Sequence, residues 1–259
     1  MSAAVAGNGT KTGGVLLVTG ASRGIGAATA LLAAGQGYAV CVNYRSAQQE
    51  AAAVVARIVA GGGRALAVQA DVSREDDVAG MFDRCQARLG TPTALVNNAG
   101  VLERQSTLAQ MDAARIRRVF DVNVLGTMLC AREAVRRMSP AAGGEGGAIV
   151  NVSSAAARLG SAGEYVDYAA SKGAVDTFTI GLAKEVAGLG IRVNAVRPGF
   201  IHTDIHASGG EPGRIERIRA AIPLGRGGQP EEVAHAILWL LSPASSYTTG
   251  SVIDVSGGR

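Results

Sequence analysis

Short apolar runs recur along the whole chain, and a longer segment with helical spacing of apolar residues follows most of them. The runs are rich in Val, Leu and Ala and end at Gly, Asn or Asp, which is typical of strands that are buried on both faces of a sheet. We predict strands at residues 15–19, 38–43, 65–69, 94–97, 148–152, 192–196 and 251–255.

The segments between these strands predict helices at residues 27–34, 47–60, 75–89, 112–138, 168–187 and 231–241. Strands that alternate with helices indicate a parallel sheet covered on both faces. We therefore predict one α/β domain over residues 14–259, of the doubly wound (Rossmann) type with seven parallel strands. Residues 1–13 are predicted to be a flexible tail, and the long connection at 200–228 is a candidate active-site lid.

Composition excludes several other classes of protein. The 259 residues are 47% hydrophobic and 18% charged, which rules out a disordered chain. A net charge of +4 and an aromatic content of 4% argue against a nucleic-acid partner. No apolar run approaches the ~18 residues of a membrane span, and the N-terminus does not resemble a secretory signal. Cys41, Cys85 and Cys130 are too far apart for a disulfide framework, so we expect buried thiols and a cytoplasmic protein.

A glycine-rich turn follows the first predicted strand, with the sequence TGASRGIG at 19–26. Gly20, Gly24 and Gly26 allow a sharp turn and the close approach of a phosphate to the start of a helix. The alternative is a purely structural tight turn. Polar or small residues also end the third and fourth strands, at Asp71 and at 97–100. Because ligands bind beyond the carboxyl ends of parallel strands, these positions predict a nucleotide cleft, with loop-capping residues as the alternative.

The end of the second strand, at Asn43, Tyr44 and Arg45, carries no acidic residue. An acid at this place would accept the ribose hydroxyls of NAD. We expect Arg23 and Arg45 to flank a 2′-phosphate instead, which favours NADP(H) over NAD(H). The alternative is that both arginines are solvated surface side chains.

Tyr168 and Lys172 are four residues apart and therefore lie on one face of a predicted helix. A nearby ammonium stabilises a phenolate, so we expect Lys172 to lower the pKa of Tyr168 and make it a general acid–base. The pairing is notable because the chain has three lysines and 22 arginines. An exposed Tyr–Lys pair is the alternative. Tyr165 is a weaker candidate because Ala169 stands four residues after it.

Two further polar positions accompany this pair. Ser154 follows the fifth strand, where its hydroxyl would reach the cleft unless it caps a turn. Asn123 interrupts a helical segment, which indicates a kink, a bound water or a surface position. The spacing of His202 and His206 imitates a metal site, but no third strong ligand is close in sequence, so we predict no metal.

Together these motifs resemble the short-chain dehydrogenase/reductase family, in particular its glucose dehydrogenase and 3-oxoacyl-carrier-protein reductase group. The resemblance runs from Val15 to the C-terminus. The motifs that carry it are TGASRGIG at 19–26, DV at 71–72, NNAG at 97–100, FDVNV around Asn123, NVSS at 151–154, YAASK at 168–172, RVNAVRPG at 192–199 and SVIDVSGG near the end.

The resemblance implies an oxidoreductase that transfers a hydride between NADP(H) and a carbonyl or alcohol. In this family Tyr168 would be the proton donor, Lys172 would tune it and hold the ribose, Ser154 would polarise the carbonyl, and Asn123 would hold a water. The implied cofactor residues are Gly20, Ser22, Arg23, Gly24, Ile25, Gly26, Asn43, Arg45, Asp71, Val72, Asn98, Ala99, Gly100, Tyr168, Lys172, Pro198, Gly199, Ile201 and Thr203. A homotetramer without nucleic-acid or membrane partners is also expected.

The substrate stays open at this point, with sugars, ketones and β-keto acyl groups all compatible. The segment between Ser154 and Tyr168 is one residue longer than in many family members. We expect the substrate pocket to be lined by Leu102, Arg158, Glu164, Tyr165 and Phe200. The competing functions are a non-catalytic dinucleotide sensor or scaffold, which would need none of the catalytic residues, and a methyltransferase, which would normally carry an acid after the second strand.

Overall fold

A computed structural model of the protein describes residues 13–259, and within that range seven strands form a single sheet. The strands are β1 (Val15–Val18), β2 (Ala39–Tyr44), β3 (Ala65–Gln69), β4 (Ala94–Asn97), β5 (Gly147–Val152), β6 (Ile191–Pro198) and β7 (Val252–Val255). Their order is β3-β2-β1-β4-β5-β6-β7, and every neighbouring pair is parallel. The predicted doubly wound α/β fold is confirmed.

Helices cover both faces of this sheet. They are α1 (Gly24–Gly35), α2 (Gln48–Ala60), α3 (Glu75–Leu89), α4 (Ala113–Phe120), α5 (Gly126–Met138), α6 (Ala156–Leu159), α7 (Val166–Val186), α8 (Ile205–Ser208), α9 (Arg214–Ile218) and α10 (Pro230–Leu241). Leu16 and Val18 of β1 belong to the core under α1, α2 and α10, whereas Leu17 belongs to the core under α3, α5 and α7. This alternation follows from the two-residue period of a strand.

The largest differences from the predicted elements are at helix ends and bends. Helix α1 begins at Gly24, so two of the three motif glycines lie in its first turn and not in a loop before it. The predicted helix at 112–138 is two α-helices joined by a π-helical turn at Asp121–Leu125. Strand β6 extends to Pro198 because Arg197 and Pro198 still pair with β7.

The connection at 200–228 is compact and carries α8, α9 and a short 3₁₀ turn at Arg219–Ala221. Its two ends are joined, because Gly228 N donates to Phe200 O at 2.9 Å and His202 N donates to Gly228 O at 2.9 Å. The segment therefore leaves and re-enters the body of the domain at one place. Its role as a lid stays a prediction.

All three cysteines are buried free thiols, as expected, and Cys41 of β2 contacts Cys85 of α3 through a hydrogen bond. Within residues 13–259, every helix is too short or too polar to span a bilayer. The cytoplasmic location stays a prediction, and residues 1–12 of the expected tail lie outside the described residues.

Candidate active site

A cavity of about 500 Å³ opens at the carboxyl ends of the strands. Residues that follow β1, β2, β3, β4, β5 and β6 line it, and so does the connection at 200–228. The strand order reverses between β1 and β4, which is the place where doubly wound sheets bind ligands. The volume is within the ~300–1,000 Å³ range of small-molecule sites.

The glycine turn forms a tight cradle at one end of this cavity. Gly20 has a φ of +60°, and a Cβ atom at this position would lie 2.9 Å from Cα of Ala99. A Cβ at Gly26 would lie 2.5 Å from the amide nitrogen of Asn98. Gly26 thus packs beneath the turn and does not itself line the cavity. Arg23 caps α1 without a side-chain hydrogen bond to the first turn, so the start of α1 fits a phosphate.

Two asparagines hold this turn in place. The side-chain oxygen of Asn43 accepts a hydrogen bond from Gly20 N at 3.1 Å, and its amide nitrogen donates to Ala70 O at 3.1 Å. The amide of Asn98 donates to Thr19 O and to Gly20 O, both at 2.9 Å. Both asparagines line the cavity, but their side-chain donors serve the protein. These hydrogen bonds therefore shape the cradle.

Arg23 and Arg45 both line the cavity at this end, and both are exposed. Arg23 is 3.8 Å from Asp204 of the 200–228 connection, an ion pair whose two side chains are mostly exposed. Arg45 has no ion-pair partner within the part of the chain that the structure describes. Arg23 and Arg45 therefore place guanidinium groups at the end of the cavity where the sequence predicts a 2′-phosphate.

The centre of the cavity contains Ser154, Tyr168 and Lys172. Ser154 follows β5, and its side chain is close enough to the Tyr168 phenol to lower the pKa of that phenol. Lys172 lies one turn after Tyr168 on α7, and its Nζ donates to Val152 O at 2.7 Å. The same Nζ is 5.7 Å from the centroid of the Tyr168 ring. A strand end and a helix face therefore bring together three groups that are up to 18 positions apart in sequence.

Burial is the main cause of the pKa shifts of Tyr168 and Lys172. It raises the pKa of Tyr168, and the hydrogen bond from Ser154 and the positive charge of Arg214 oppose this to a smaller extent. Burial also lowers the pKa of Lys172 to about 8, against the opposing charge of Asp176. The expectation that Lys172 lowers the pKa of Tyr168 is therefore wrong for this structure, because desolvation of the phenolate outweighs the nearby charges.

Asn123 does not line the cavity and is fully buried in the π-helical turn. Its amide donates to Ser171 Oγ at 3.0 Å, and Ser171 Oγ in turn donates to Tyr168 O at 2.7 Å. A Cβ at Gly100 would lie 3.4 Å from Asn123 Oδ1 and 3.5 Å from Lys172 Nζ. Asn123 thus braces the helix that carries the tyrosine, and Gly100 keeps room around it.

The other site residues predicted from the sequence line the same cavity. They are Ser22, Gly24, Ile25, Asp71, Val72, Ala99, Gly100, Pro198, Gly199, Ile201 and Thr203. Among the described side chains, there is no group of three or more that could hold a metal ion.

The expected substrate pocket is partly wrong. Leu102, Tyr165 and Phe200 line the cavity, but Arg158 and Glu164 do not. Arg158 forms an ion pair with Asp254 at the end of the sheet, and Glu164 pairs with arginines of the 200–228 connection. Arg158 is thus paired outside the cavity, whereas Glu164 is paired with Arg217 and with Arg214, which lines the cavity.

Sequence reasoning missed Arg214, which lines the cavity from α9. Nothing in the pattern distinguishes it from the other arginines, because its position depends on how the 200–228 connection folds back. The only sequence signal for Arg214 was its position within the predicted lid at 200–228.

Comparison with known proteins agrees with this geometry. The model of a protein family described as enoyl-(acyl carrier protein) reductase matches residues 20–259. The chain belongs to the short-chain dehydrogenase/reductase family. It is 59% identical to the uncharacterised oxidoreductase YgfF of Escherichia coli (strain K12), over 95% of this chain and 99% of that protein.

Two further family members are informative. A 3-oxoacyl-[acyl-carrier-protein] reductase of Synechocystis sp. is 43% identical over 95% of this chain and 97% of that protein. A short-chain dehydrogenase of Burkholderia cenocepacia, solved in complex with NADP, superposes with a TM-score of 0.88 at 34% identity, covering 95% of this chain and 97% of that one. The protein is an oxidoreductase of a family whose members use NAD(P).

Proposed function

We propose that this short-chain dehydrogenase/reductase is an NADP(H)-preferring enzyme that interconverts a carbonyl compound and an alcohol, with Tyr168 as its general acid–base. The observation that carries the proposal is that the side chains of Ser154, Tyr168 and Lys172 line one cavity, with the ammonium of Lys172 5.7 Å from the Tyr168 ring. Two hydroxyl groups that meet at one point can both donate to a single carbonyl oxygen, where negative charge develops during reduction.

In this proposal each residue of the site has its own role. When bound, the nicotinamide cofactor supplies or accepts the hydride. Tyr168 gives its proton to the carbonyl oxygen, and Ser154 donates the second hydrogen bond. The raised pKa of Tyr168 keeps the phenol protonated at neutral pH, which suits carbonyl reduction. Lys172, held by the Val152 carbonyl, keeps a cation beside the phenol and reaches toward a bound ribose.

The cofactor preference rests on the other end of the cavity. Arg23 and Arg45 present guanidinium groups beside the glycine turn, and no acid follows β2 to repel a 2′-phosphate. Arginine can donate two parallel, charge-assisted hydrogen bonds to a phosphate. The relative solved with NADP is compatible with this preference.

We further propose a homotetramer. Leu125 and Met128, at the start of α5, are 43% and 39% exposed, and Ile180 on α7 is 41% exposed. Trp239 on α10 is 43% exposed. Apolar side chains that stand out from helix faces are typical of surfaces that pack against another copy, and closed symmetry favours two-fold axes.

A panel of ketones, sugars, β-keto esters and alcohols, followed through nicotinamide absorbance with NADPH and NADH, tests the proposed function. We expect turnover of at least one carbonyl, faster with NADPH. A chain that binds NADPH in a thermal-shift assay but turns over nothing would instead be a dinucleotide sensor. Stabilisation by S-adenosylmethionine alone would indicate a methyltransferase.

A further inference from the structure

Several apolar side chains line the cavity together with Tyr168. They include Leu102, Leu159, Tyr165, Phe200 and Ile205. Arg214 enters this lining from α9, and its side chain is only 9% exposed. A cation in an apolar pocket is costly unless its donors are satisfied, so its contacts show what it can still bind.

Two aromatic rings lie near the guanidinium of Arg214, and one of its nitrogen atoms has no hydrogen-bond partner among the described residues. Its Cζ lies 4.7 Å from the centroid of the Tyr165 ring and 5.5 Å from that of Phe200. Nη2 donates to Glu164. Nη1 is buried without a hydrogen-bond partner among the described residues, and Glu211 lies 3.7 Å from it, too far for a hydrogen bond. One charged donor is therefore left without an acceptor.

The position of Arg214 is not needed to tie the lid segment down. The exposed Arg217 already bridges both carboxylates, with Nη2 at 3.0 Å from Glu164 and 2.9 Å from Glu211. The Tyr165 hydroxyl also donates to Gly209 O at 3.1 Å. These contacts join 200–228 to the segment before α7, through Arg217 at the surface and Tyr165 in the interior. Arg214 adds a cation on the inside, and its charge is felt at the Tyr168 phenol.

We propose that Arg214 is a substrate-recognition residue and that the enzyme acts on carbonyl compounds bearing a carboxylate, namely short oxo acids and the matching hydroxy acids. Nη1 is itself buried, so binding requires the Arg214 side chain to turn toward the cavity that it lines, where a substrate carboxylate would be the acceptor that Nη1 lacks. The apolar side chains of Leu102, Tyr165 and Phe200 fit a short carbon skeleton between the carboxylate and the carbonyl. Planar guanidinium groups suit carboxylates because they offer paired donors.

The proposal rests on the proposed function and keeps its chemistry. The oxo acid gains a hydride from the reduced nicotinamide, which becomes oxidised, and a proton from Tyr168 on the carbonyl oxygen. The C=O double bond becomes C–OH, and solvent returns the proton to Tyr168. The carboxylate is unchanged and serves only to place the carbonyl.

The test compares oxo acids with their methyl esters, which keep the skeleton but lose the charge. For the parent enzyme we expect a higher kcat/KM for an acid than for its ester. In Arg214→Met the acid should lose about tenfold or more in kcat/KM, as expected for a lost charge-assisted hydrogen bond, mainly through KM. The ester should change by only a few fold. The acid-to-ester ratio is independent of the fraction of enzyme that folds.

Two further variants separate recognition from a structural role. Glu164→Gln removes a carboxylate that competes with the substrate for Arg214, so a recognition role predicts a lower KM for the acid. If Arg214 only holds the 200–228 connection in place, Glu164→Gln should show the same loss as Arg214→Met. Arg217→Gln removes an exposed cation that pairs with the same glutamates, and the acid-to-ester ratio should stay at the parent value.

Equal losses for acid and ester in Arg214→Met, or a raised KM for the acid in Glu164→Gln, would overturn the inference. So would a parent enzyme that reduces neutral ketones and rejects every oxo acid, an outcome that leaves the proposed function intact. Absence of any carbonyl turnover would instead contradict the proposed function itself.

Discussion

The Nζ atom of Lys172 lies 5.7 Å from the centroid of the Tyr168 ring and donates its short hydrogen bond, 2.7 Å, to Val152 O. The ammonium is thus fixed by the main chain at the end of β5, with its charge beside the Tyr168 ring. Its pKa of about 8 leaves most of that charge in place at neutral pH. The same atom is free to turn toward a ribose hydroxyl when a cofactor binds.

Replacing Lys172 should therefore damage both chemistry and cofactor binding. For Lys172→Met we expect kcat to fall by about 100-fold or more and the Kd for NADPH to rise, because one cation serves both roles. Lys184→Met, an exposed lysine on the same helix, is the matched control and should leave both unchanged. Fluorescence titration of NADPH and steady-state kinetics measure the two effects. Unaltered NADPH affinity in Lys172→Met would contradict the dual role.

The two directions of the reaction should differ in their dependence on pH. In the proposed mechanism, carbonyl reduction uses the protonated phenol of Tyr168, which its raised pKa preserves, whereas alcohol oxidation uses the phenolate. We expect kcat/KM for oxidation to rise from about pH 6 to 9 and kcat/KM for reduction not to rise. Lys172 loses its charge as the pH passes its pKa of about 8, which removes a cation from beside the phenol, so the oxidation profile should rise less steeply from about pH 8 to 9 than below about pH 8. An oxidation rate that is constant over this range would count against Tyr168 as the base.

Cofactor choice should depend on Arg45. We expect kcat/KM for NADPH to exceed that for NADH by about tenfold or more, since one charge-assisted hydrogen bond contributes roughly 1.5–3 kcal/mol. Arg45→Asp should shrink or reverse the preference with a smaller loss of NADH activity. Arg57→Glu makes the same change of charge on an exposed face of α2 and should preserve the preference. Equal kcat/KM values for the two cofactors in the parent enzyme would mean that both arginines are ordinary surface residues.

The assembly state can be measured directly. Light scattering at micromolar concentration should give about four times the chain mass of 26.2 kDa. Leu125→Glu places a charge among the exposed apolar side chains of α5 and should shift the protein toward smaller species. A monomeric parent protein at that concentration would refute the tetramer.

Sequence patterns were sufficient for the sheet because the central strands β1, β4 and β5 are buried and have apolar runs. They also placed Tyr168, Lys172 and Ser154 in one cavity, since the strand ends of a parallel sheet meet at one edge. The sequence patterns failed where a property depends on the three-dimensional surroundings of a residue. The spacing of Tyr168 and Lys172 indicates a shared helix face but not how much water is excluded, which is why the direction of the tyrosine pKa was wrong.

Charged residues near the site show the same limit. Arg158 and Glu164 are close to Ser154 and Tyr168 in sequence, yet they form ion pairs with Asp254 and Arg214, many positions later, and do not line the cavity. The π-helical turn that buries Asn123 depends on hydrogen bonds to Val101 and Ser171, which no local pattern encodes. Arg214 lines the cavity only because the 200–228 connection, which carries it, folds back over the cavity.

The central claim, that Tyr168 is the general acid–base of a carbonyl/alcohol oxidoreductase, is tested most directly by Tyr168→Phe. The change removes one oxygen atom and keeps the ring. The turnover rate and the Kd for NADPH are measured together, with Tyr165→Phe as the matched control, because the Tyr165 hydroxyl bonds to Gly209 O. We predict that Tyr168→Phe loses turnover by about 100-fold or more while binding NADPH almost as well as the parent. Turnover close to that of the parent, or a greater loss in Tyr165→Phe, would contradict the assignment.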